Sequence, residues 1–381
     1  MFLTKLPNTG NSIFSVMTGL ANTYKAINLA QGFPDFQPNP ILVDKVYEAM
    51  KSGQNQYAPM PGLLDLRQEL ARKTLLFYKK NVDPETEITI TAGATQAIFT
   101  AIAAFVSPDQ EVICFDPAYD CYAPAIKVQS ARPIHLPMFW DGNRFAYDWD
   151  QLRARINTRT RMVILNNPHN PTGAVLLKED LDKLADLLRN TEIVVLADEV
   201  YEHMVFDKKT HLSMLTHPEL CGRAIVVSSF GKTYHNTGWK VGYAIAPNEL
   251  TKEFRKVHQF NVFAVNTPVQ WAFAAFLKLD KSYEQLPDFY QQKRDLFLNL
   301  VKKSRFDFVP TASTYFQLAR YNRISSADDM EFTEMLVREK GLAVIPISPF
   351  IQSNDAPALV RFCFAKSDET LQKAAEVICA I

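Results

Sequence analysis

The spacing of apolar and polar positions changes along this chain. From residue 111 to 227, short unbroken apolar runs recur: Val112-Ile113-Cys114-Phe115, Met162-Val163-Ile164-Leu165, Ile193-Val194-Val195-Leu196 and Ala224-Ile225-Val226-Val227. Each is too short for a helix and too continuous for a strand with one wet face, so each reads as a strand buried on both faces. Between the second and third runs, Leu181, Leu184, Leu187 and Leu188 give a helix one apolar face. Strands alternating with helices predict a mostly parallel sheet covered on both sides. Upstream, the pattern predicts helices over 13–20, 41–50 and 63–78, strands over 26–29 and 87–91, and an Ala-rich helix running from the turn at 92–96 to 106. Downstream it predicts helices over 257–276 and 290–302 and strands over 314–318, 342–345 and 359–364.

Open parallel sheets bind ligands beyond the carboxyl ends of their strands. Tyr119, Asn170, Asp198, Tyr201 and Lys232 all follow such ends and are expected to converge. Asp198 comes directly after buried aliphatics, where a lone carboxylate needs a cation or strong donors. The Gly231-Lys232-Thr233 triplet looks like the end of a nucleotide P-loop, but the position needing the first glycine is Val226. Lys232 is then either a solvated loop lysine or an imine-forming one. The turn Gly93-Ala94-Thr95 lies between a strand and a helix, which suits either an anion site or a plain connection. Arg361 stands inside an apolar strand, where it either pairs with an acid or grips a carboxylate through its fork.

Composition narrows the classes. In 381 residues, 41 basic side chains balance 41 acidic ones, which argues against nucleic acid or an anionic membrane as the main partner. Five cysteines without a C-x-x-C pair fit a reducing compartment. Residues 1–7 lack the apolar run of a signal peptide, and the longest apolar run, 97–106, is too short to cross a bilayer. A cytoplasmic protein with no metal site is expected. A large unit over 36–280 and a smaller one made of 1–35 with 281–381 are expected as well.

Taken in order, Asp198 with Tyr201, Asn170-Pro171-Thr172-Gly173, Ser229-x-x-Lys232 with Lys240, and Val360-Arg361-Phe362 resemble the fold-type I, class I/II aminotransferases. Gln31–Phe36, Asn55-Gln56-Tyr57 and Val257-His258-Gln259 are similar to the kynurenine/glutamine aminotransferase branch and its bacterial methionine aminotransferases. The resemblance implies the aspartate aminotransferase-like fold: a mostly parallel central sheet between helices, plus a smaller α+β domain. It also implies pyridoxal 5′-phosphate (PLP) as cofactor. Lys232 would carry the cofactor and then move the substrate proton, Asp198 would face the pyridine nitrogen, and Asn170 and Tyr201 would donate to the ring's 3-oxygen. Tyr119 would stack on the ring. Gly93, Ala94, Thr95, Ser229 and Lys240 would hold the phosphate, joined by Tyr57 from a neighbouring subunit of a homodimer. Arg361, Asn170 and the Gly32 N–H would clamp the α-carboxylate, and Phe14, Phe350 and, from the neighbouring subunit, Phe263 would wall the side-chain pocket. The activity implied is transfer of an amino group from a large apolar, thioether or aromatic amino acid to a 2-oxo acid by a ping-pong route. Cysteine-conjugate β-elimination on the same scaffold and a PLP-binding sensor domain are the alternatives.

Overall fold

The computed structural model describes residues 4–7, 9–140, 144–353 and 356–381, so the first three residues of the N-terminal stretch lie outside it. A seven-stranded sheet is built from β1 (Ile88–Thr91), β2 (Glu111–Asp116), β3 (Arg132–Pro137), β4 (Thr160–Asn166), β5 (Val194–Asp198), β6 (Ala224–Ser229) and β7 (Gly242–Ile245). Their spatial order is β1-β7-β6-β5-β4-β2-β3. Pairing is parallel from β3 through β6, while β7 runs antiparallel to both β6 and β1.

The unbroken apolar runs follow from this arrangement. Along β2, Val112 and Cys114 point to one face and Ile113 and Phe115 to the other, and all four are buried. Helix α1 (Gly93–Phe105) covers the first face through Ala97, Ile98, Ala101 and Ile102. Leu181, Leu184 and Leu188, from the helix Lys178–Leu188, pack on the second face. Among the described residues no helix is long and apolar enough to cross a membrane.

A second, antiparallel sheet has the order β8 (Asp307–Phe308), β9 (Phe316–Arg320), β11 (Leu359–Cys363), β10 (Ile345–Pro346). The N-terminal segment joins this half of the molecule, since Ile27 and Asn28 pair in parallel with Leu342 and Ala343.

Several expected bounds shift for local reasons. The helix expected over 257–276 is two helices, α2 (Asn248–Asn261) and Thr267–Leu279. Phe263 takes a left-handed φ of 64° in the break, and the Asn266 side chain caps the second helix. The strand expected from 314 begins at Phe316, because Thr314 has φ 63°. The stretch 342–345 divides at Val344, one half pairing with Ile27–Asn28 and the other joining the second sheet. The antiparallel strand β7 is not foreseen from the sequence.

One buried ion pair ties the layers behind β6. Lys73 Nζ donates to Glu202 Oε1 at 2.8 Å and to the Tyr243 hydroxyl at 2.9 Å. Ser228 Oγ and the Tyr243 hydroxyl also donate to Glu202 Oε1, at 2.9 and 2.6 Å, and Tyr78 donates to Oε2. Burial alone raises a carboxyl's pKa; here the Lys73 charge and these donors outweigh it and hold Glu202 well below its usual value. Removing one partner leaves an uncompensated buried charge. Lys73→Met is therefore expected to cost about 3–5 kcal/mol in urea denaturation, and Lys73→Met with Glu202→Leu to recover most of it. Equal stability of the single variant and the parent would contradict this.

Candidate active site

The ends of β4, β5 and β6 set the floor of one cleft. β5 ends at Asp198, which is 3% exposed and pairs in register with Asn166 at the end of β4. The Tyr122 hydroxyl donates to Asp198 Oδ2 at 2.7 Å and the Val200 N–H to Oδ1 at 3.3 Å. Burial dominates those two donors and raises the carboxyl to about 6. Asn166 carries the order outward. Its Nδ2 donates to the Asp198 carbonyl at 2.8 Å, and its Oδ1 accepts the Asn170 N–H at 2.7 Å.

Asn170 in turn orients Arg361, which reaches in from β11 of the second sheet. Arg361 donates to Asn170 Oδ1 at 2.8 Å and to the Ala30 carbonyl at 3.0 Å. Its guanidinium lies 3.8 Å from the centroid of the Phe316 ring and 5.2 Å from that of Phe14. The side chain is fully buried, and among the described residues it pairs with no carboxylate and its Nε has no partner. A buried cation without a counter-ion is costly, and burial pulls its pKa down. An anionic ligand relieves that cost.

β6 ends at Ser229, and a single helical turn, Phe230–Thr233, presents Lys232. Lys232 Nζ donates to the Gly32 carbonyl and to the Tyr315 hydroxyl, each at 3.0 Å. The Tyr201 and Tyr315 rings both lie 5.6 Å from it. Burial lowers its pKa to about 8, and the Arg361 charge acts in the same direction. At pH 7 about a tenth of the amine is then unprotonated and nucleophilic, far more than for an ordinary lysine.

At the opposite wall, β1 turns into α1 through Gly93, whose φ is +80°. A Cβ there would sit 3.4 Å from Lys240 Nζ, and a Cβ on Gly242 would sit 3.1 Å from Gly93 Cα. The two glycines let the turn close against β7 while Lys240 stays beside it. The first N–H groups of α1 have no partner within the helix and form an anion cup with the positive end of its dipole.

Phe14, Gly32, Gly93, Ala94, Thr95, Tyr119, Asn170, Asp198, Tyr201, Ser229, Lys232, Lys240 and Arg361 thus line one cleft of about 290 Å³. Of the residues expected from this chain itself, Phe350 lies elsewhere, and the two expected from a neighbouring subunit, Tyr57 and Phe263, are not in this chain's own cleft. Phe350 is buried and does not line the cleft; its ring packs 5.7 Å from Phe14. Tyr57 (80% exposed) and Phe263 (59% exposed) do not line it either, and meet edge to face at 5.0 Å on the surface. Sequence reasoning missed Tyr122, Tyr315 and Phe316, which touch Asp198, Lys232 and Arg361. Tyr122 lies three residues after Tyr119, where a helix starting past the β2 end brings it back over the sheet; that spacing was the available signal. Together the cleft offers an anion cup, a buried carboxylate, an amine of reduced basicity and an unpaired guanidinium.

Comparison with known proteins agrees with this chemistry. Residues 24–378 match the family model for aminotransferase class I and II. The chain is 47% identical to a methionine aminotransferase of Escherichia coli (strain K12), over 98% of this chain and 96% of that one. It is 31% identical to human kynurenine–oxoglutarate transaminase 3, over 98% and 89%. A crystal structure from Escherichia coli, described as identifying a methionine aminotransferase function, superposes with a TM-score of 0.96 at 45% identity over all of both chains. The fold is that of the aspartate aminotransferase-like, PLP-dependent enzymes. This chain belongs to the aminotransferase class I and II family.

Proposed function

We propose that this chain is a PLP-dependent aminotransferase acting on L-amino acids with large apolar, thioether or aromatic side chains, methionine foremost, with a 2-oxo acid as acceptor. The observation that carries the reading is the meeting of Arg361, buried without a carboxylate, and Lys232, with its lowered pKa, in one cleft. Methionine and kynurenine are the amino acids in the names of the relatives described above.

The residues present fit the cofactor. The Gly93 turn at the start of α1 lines the cleft together with Ser229 and Lys240, and among the described residues the buried Asp198 carboxylate has no cation paired to it. When bound, PLP supplies an electron sink for the negative charge that develops at the donor's Cα. Asp198 would keep the ring nitrogen protonated, and Asn170 and Tyr201 would donate to the ring's 3-oxygen. Tyr119 would cover one ring face, and the Ala94 and Thr95 N–H groups with Ser229 and Lys240 would hold the phosphate.

Lys232 Nζ would hold the cofactor and would be the base that takes the proton from the donor's Cα. A lysine near pKa 8 suits that task; an ordinary one is almost wholly protonated at neutral pH. Arg361, oriented by Asn170, grips the donor's α-carboxylate with the help of the Gly32 N–H. The second half-reaction repeats these steps in reverse with the oxo acid.

Selectivity rests on what the cleft lacks. Lys232, Lys240 and Arg361 are the only cations lining it among the described residues, and each already has a task. A donor with a side-chain carboxylate finds no further charge, whereas Phe14, backed by Phe350, offers an apolar wall. Tyr57 and Phe263 are proposed to serve the cleft of a second copy, which makes the enzyme a homodimer with shared sites. The division into 36–280 and 1–35 with 281–381 is proposed because the two sheets are separate.

Three outcomes test this reading. The purified enzyme should show a visible cofactor band that bleaches on adding methionine, and Lys232→Ala should lose both the band and turnover; appreciable transamination by that variant would sink the assignment. Arg361→Lys should raise KM for methionine by roughly 30-fold, with a smaller effect on kcat, because the fork is lost. An unchanged KM would remove Arg361 from the substrate site.

The third concerns pH. The folded value of Asp198, about 6, lies above its unfolded value, so the protonated form favours folding. That contribution is full below the unfolded value and is lost as pH rises through about 6. In cofactor-free protein, Asp198→Asn should therefore be more stable than the parent by about 3 kcal/mol at pH 7.5 and by roughly half that at pH 5. Urea denaturation that finds no pH dependence in the difference would refute it.

A further inference from the structure

Helix α1 opens without help from its own cap: Ala92 occupies that position and its side chain makes no capping bond. The bond comes from inside the helix. Gln96 turns back, and its Oε1 accepts the Ala92 N–H at 2.9 Å. A backbone N–H can only donate, so the amide oxygen must face it and Nε2 must point away. Nε2 donates to Thr100 Oγ1 at 2.6 Å and meets His258 Nδ1 at 3.3 Å. That second contact requires an unprotonated Nδ1. His258 is fully buried on α2, and burial lowers its pKa to about 4, which leaves the ring neutral. Asn261, three residues on, donates to the same Thr100 hydroxyl at 3.2 Å. Two helices are thus joined through a side chain whose far end fixes the residue just before Gly93.

We propose that Gln96, oriented by His258, is a positioning residue that holds the turn from Ala92 to Thr95 in the shape of a phosphate cup. This rests on the reading of the cleft as a PLP site. Neither side chain lines the cleft, so each acts on the phosphate only through the backbone of the turn. The brace is also not what anchors the helix. Ala97, Ile98, Ala101 and Ile102 already bury α1 against the sheet, so loss of the Gln96 bond is felt at the turn. An amide freed from Gln96 lets the N–H groups of Ala94 and Thr95 drift from the one arrangement that suits a phosphate.

The proposal separates the phosphate from the rest of the cofactor, and so does its test. Cofactor-free protein is titrated with PLP and with pyridoxal, which lacks the phosphate, while the visible absorbance is followed. Gln96→Leu is expected to weaken PLP binding by about tenfold and to leave pyridoxal binding within about twofold of the parent. His258→Phe should act in the same direction with a smaller effect. His258→Asn, whose Oδ1 can stand where Nδ1 stands, should stay within about twofold of the parent for both ligands.

Equal weakening of PLP and pyridoxal by Gln96→Leu, or unchanged PLP affinity, overturns the proposal. If Gln96→Leu does not fold, the His258 pair decides: Phe and Asn variants with the same PLP-to-pyridoxal ratio overturn it. A parent chain that binds PLP no better than pyridoxal overturns the cofactor reading and this proposal together, a result distinct from failure of the variants alone.

Discussion

Asp198 ends the strand at the centre of the seven-stranded sheet, with β4 on one side and β6 on the other. Burial there disfavours its charge, and two donors, Tyr122 and the Val200 N–H, only partly offset that cost. The same strand end is the first link in a chain of amides. The Asp198 carbonyl holds Asn166, Asn166 holds the Asn170 backbone, and the Asn170 side chain holds Arg361 on the second sheet. The position of a guanidinium more than 160 residues away in sequence is therefore set by the register of β4 against β5. A slip of that register by one residue would turn Asp198 to the other face and break each later link.

The cleft concentrates groups that are individually unfavourable in a protein interior. Among the described residues Asp198 lacks a cation, Arg361 lacks a carboxylate, and Lys232 is paired only with a carbonyl and a phenol. A folding optimum would neutralise these groups against one another. The sheet instead holds them apart, and the penalty is met by packing elsewhere: both faces of β2, β4, β5 and β6 are buried. The closed ion pair of Lys73 and Glu202, just behind β6, shows the contrast. There the opposite charges touch, and phenols and a serine satisfy the carboxylate. That pair supports the frame, while the unpaired charges of the cleft remain available to a ligand.

Much of this was legible in the sequence because buried parallel strands leave a strong signal. Four unbroken apolar runs announced β2, β4, β5 and β6, and the residues just past three of them, Asn170, Asp198 and Lys232, proved to share a cleft. The antiparallel β7 left no comparable mark: it is four residues long and owes its place to Gly242, which fits against Ser228 and Gly93. Phe316 was legible as a strand residue, but neither it nor Tyr315, just before the strand, was legible as a neighbour of Arg361 or Lys232. Those contacts depend on how the second sheet meets the first, and local pattern carries no information about that. Tyr57 and Phe263 illustrate the same limit at the surface, where two large rings remain exposed within one chain.

The stretch from Ser229 to Lys240 shows how one short segment can serve two purposes. Lys232 sits inside the cleft among aromatic rings, where burial strips it of the water that stabilises an ammonium, and its basicity falls. Lys240, eight residues on, is exposed and takes a left-handed backbone, φ 55°, that brings it beside Gly93. Residue type does not separate them, since both are lysines. Solvent access does. Burial disfavours the ammonium of Lys232, whereas Lys240 keeps its contact with water beside the Gly93 turn. The three residues of the turn after Ser229 carry the chain from the surface of the sheet into the cleft, and β7 carries it out again. Where the strand ends fall therefore decides which of the two lysines is the more shielded from water.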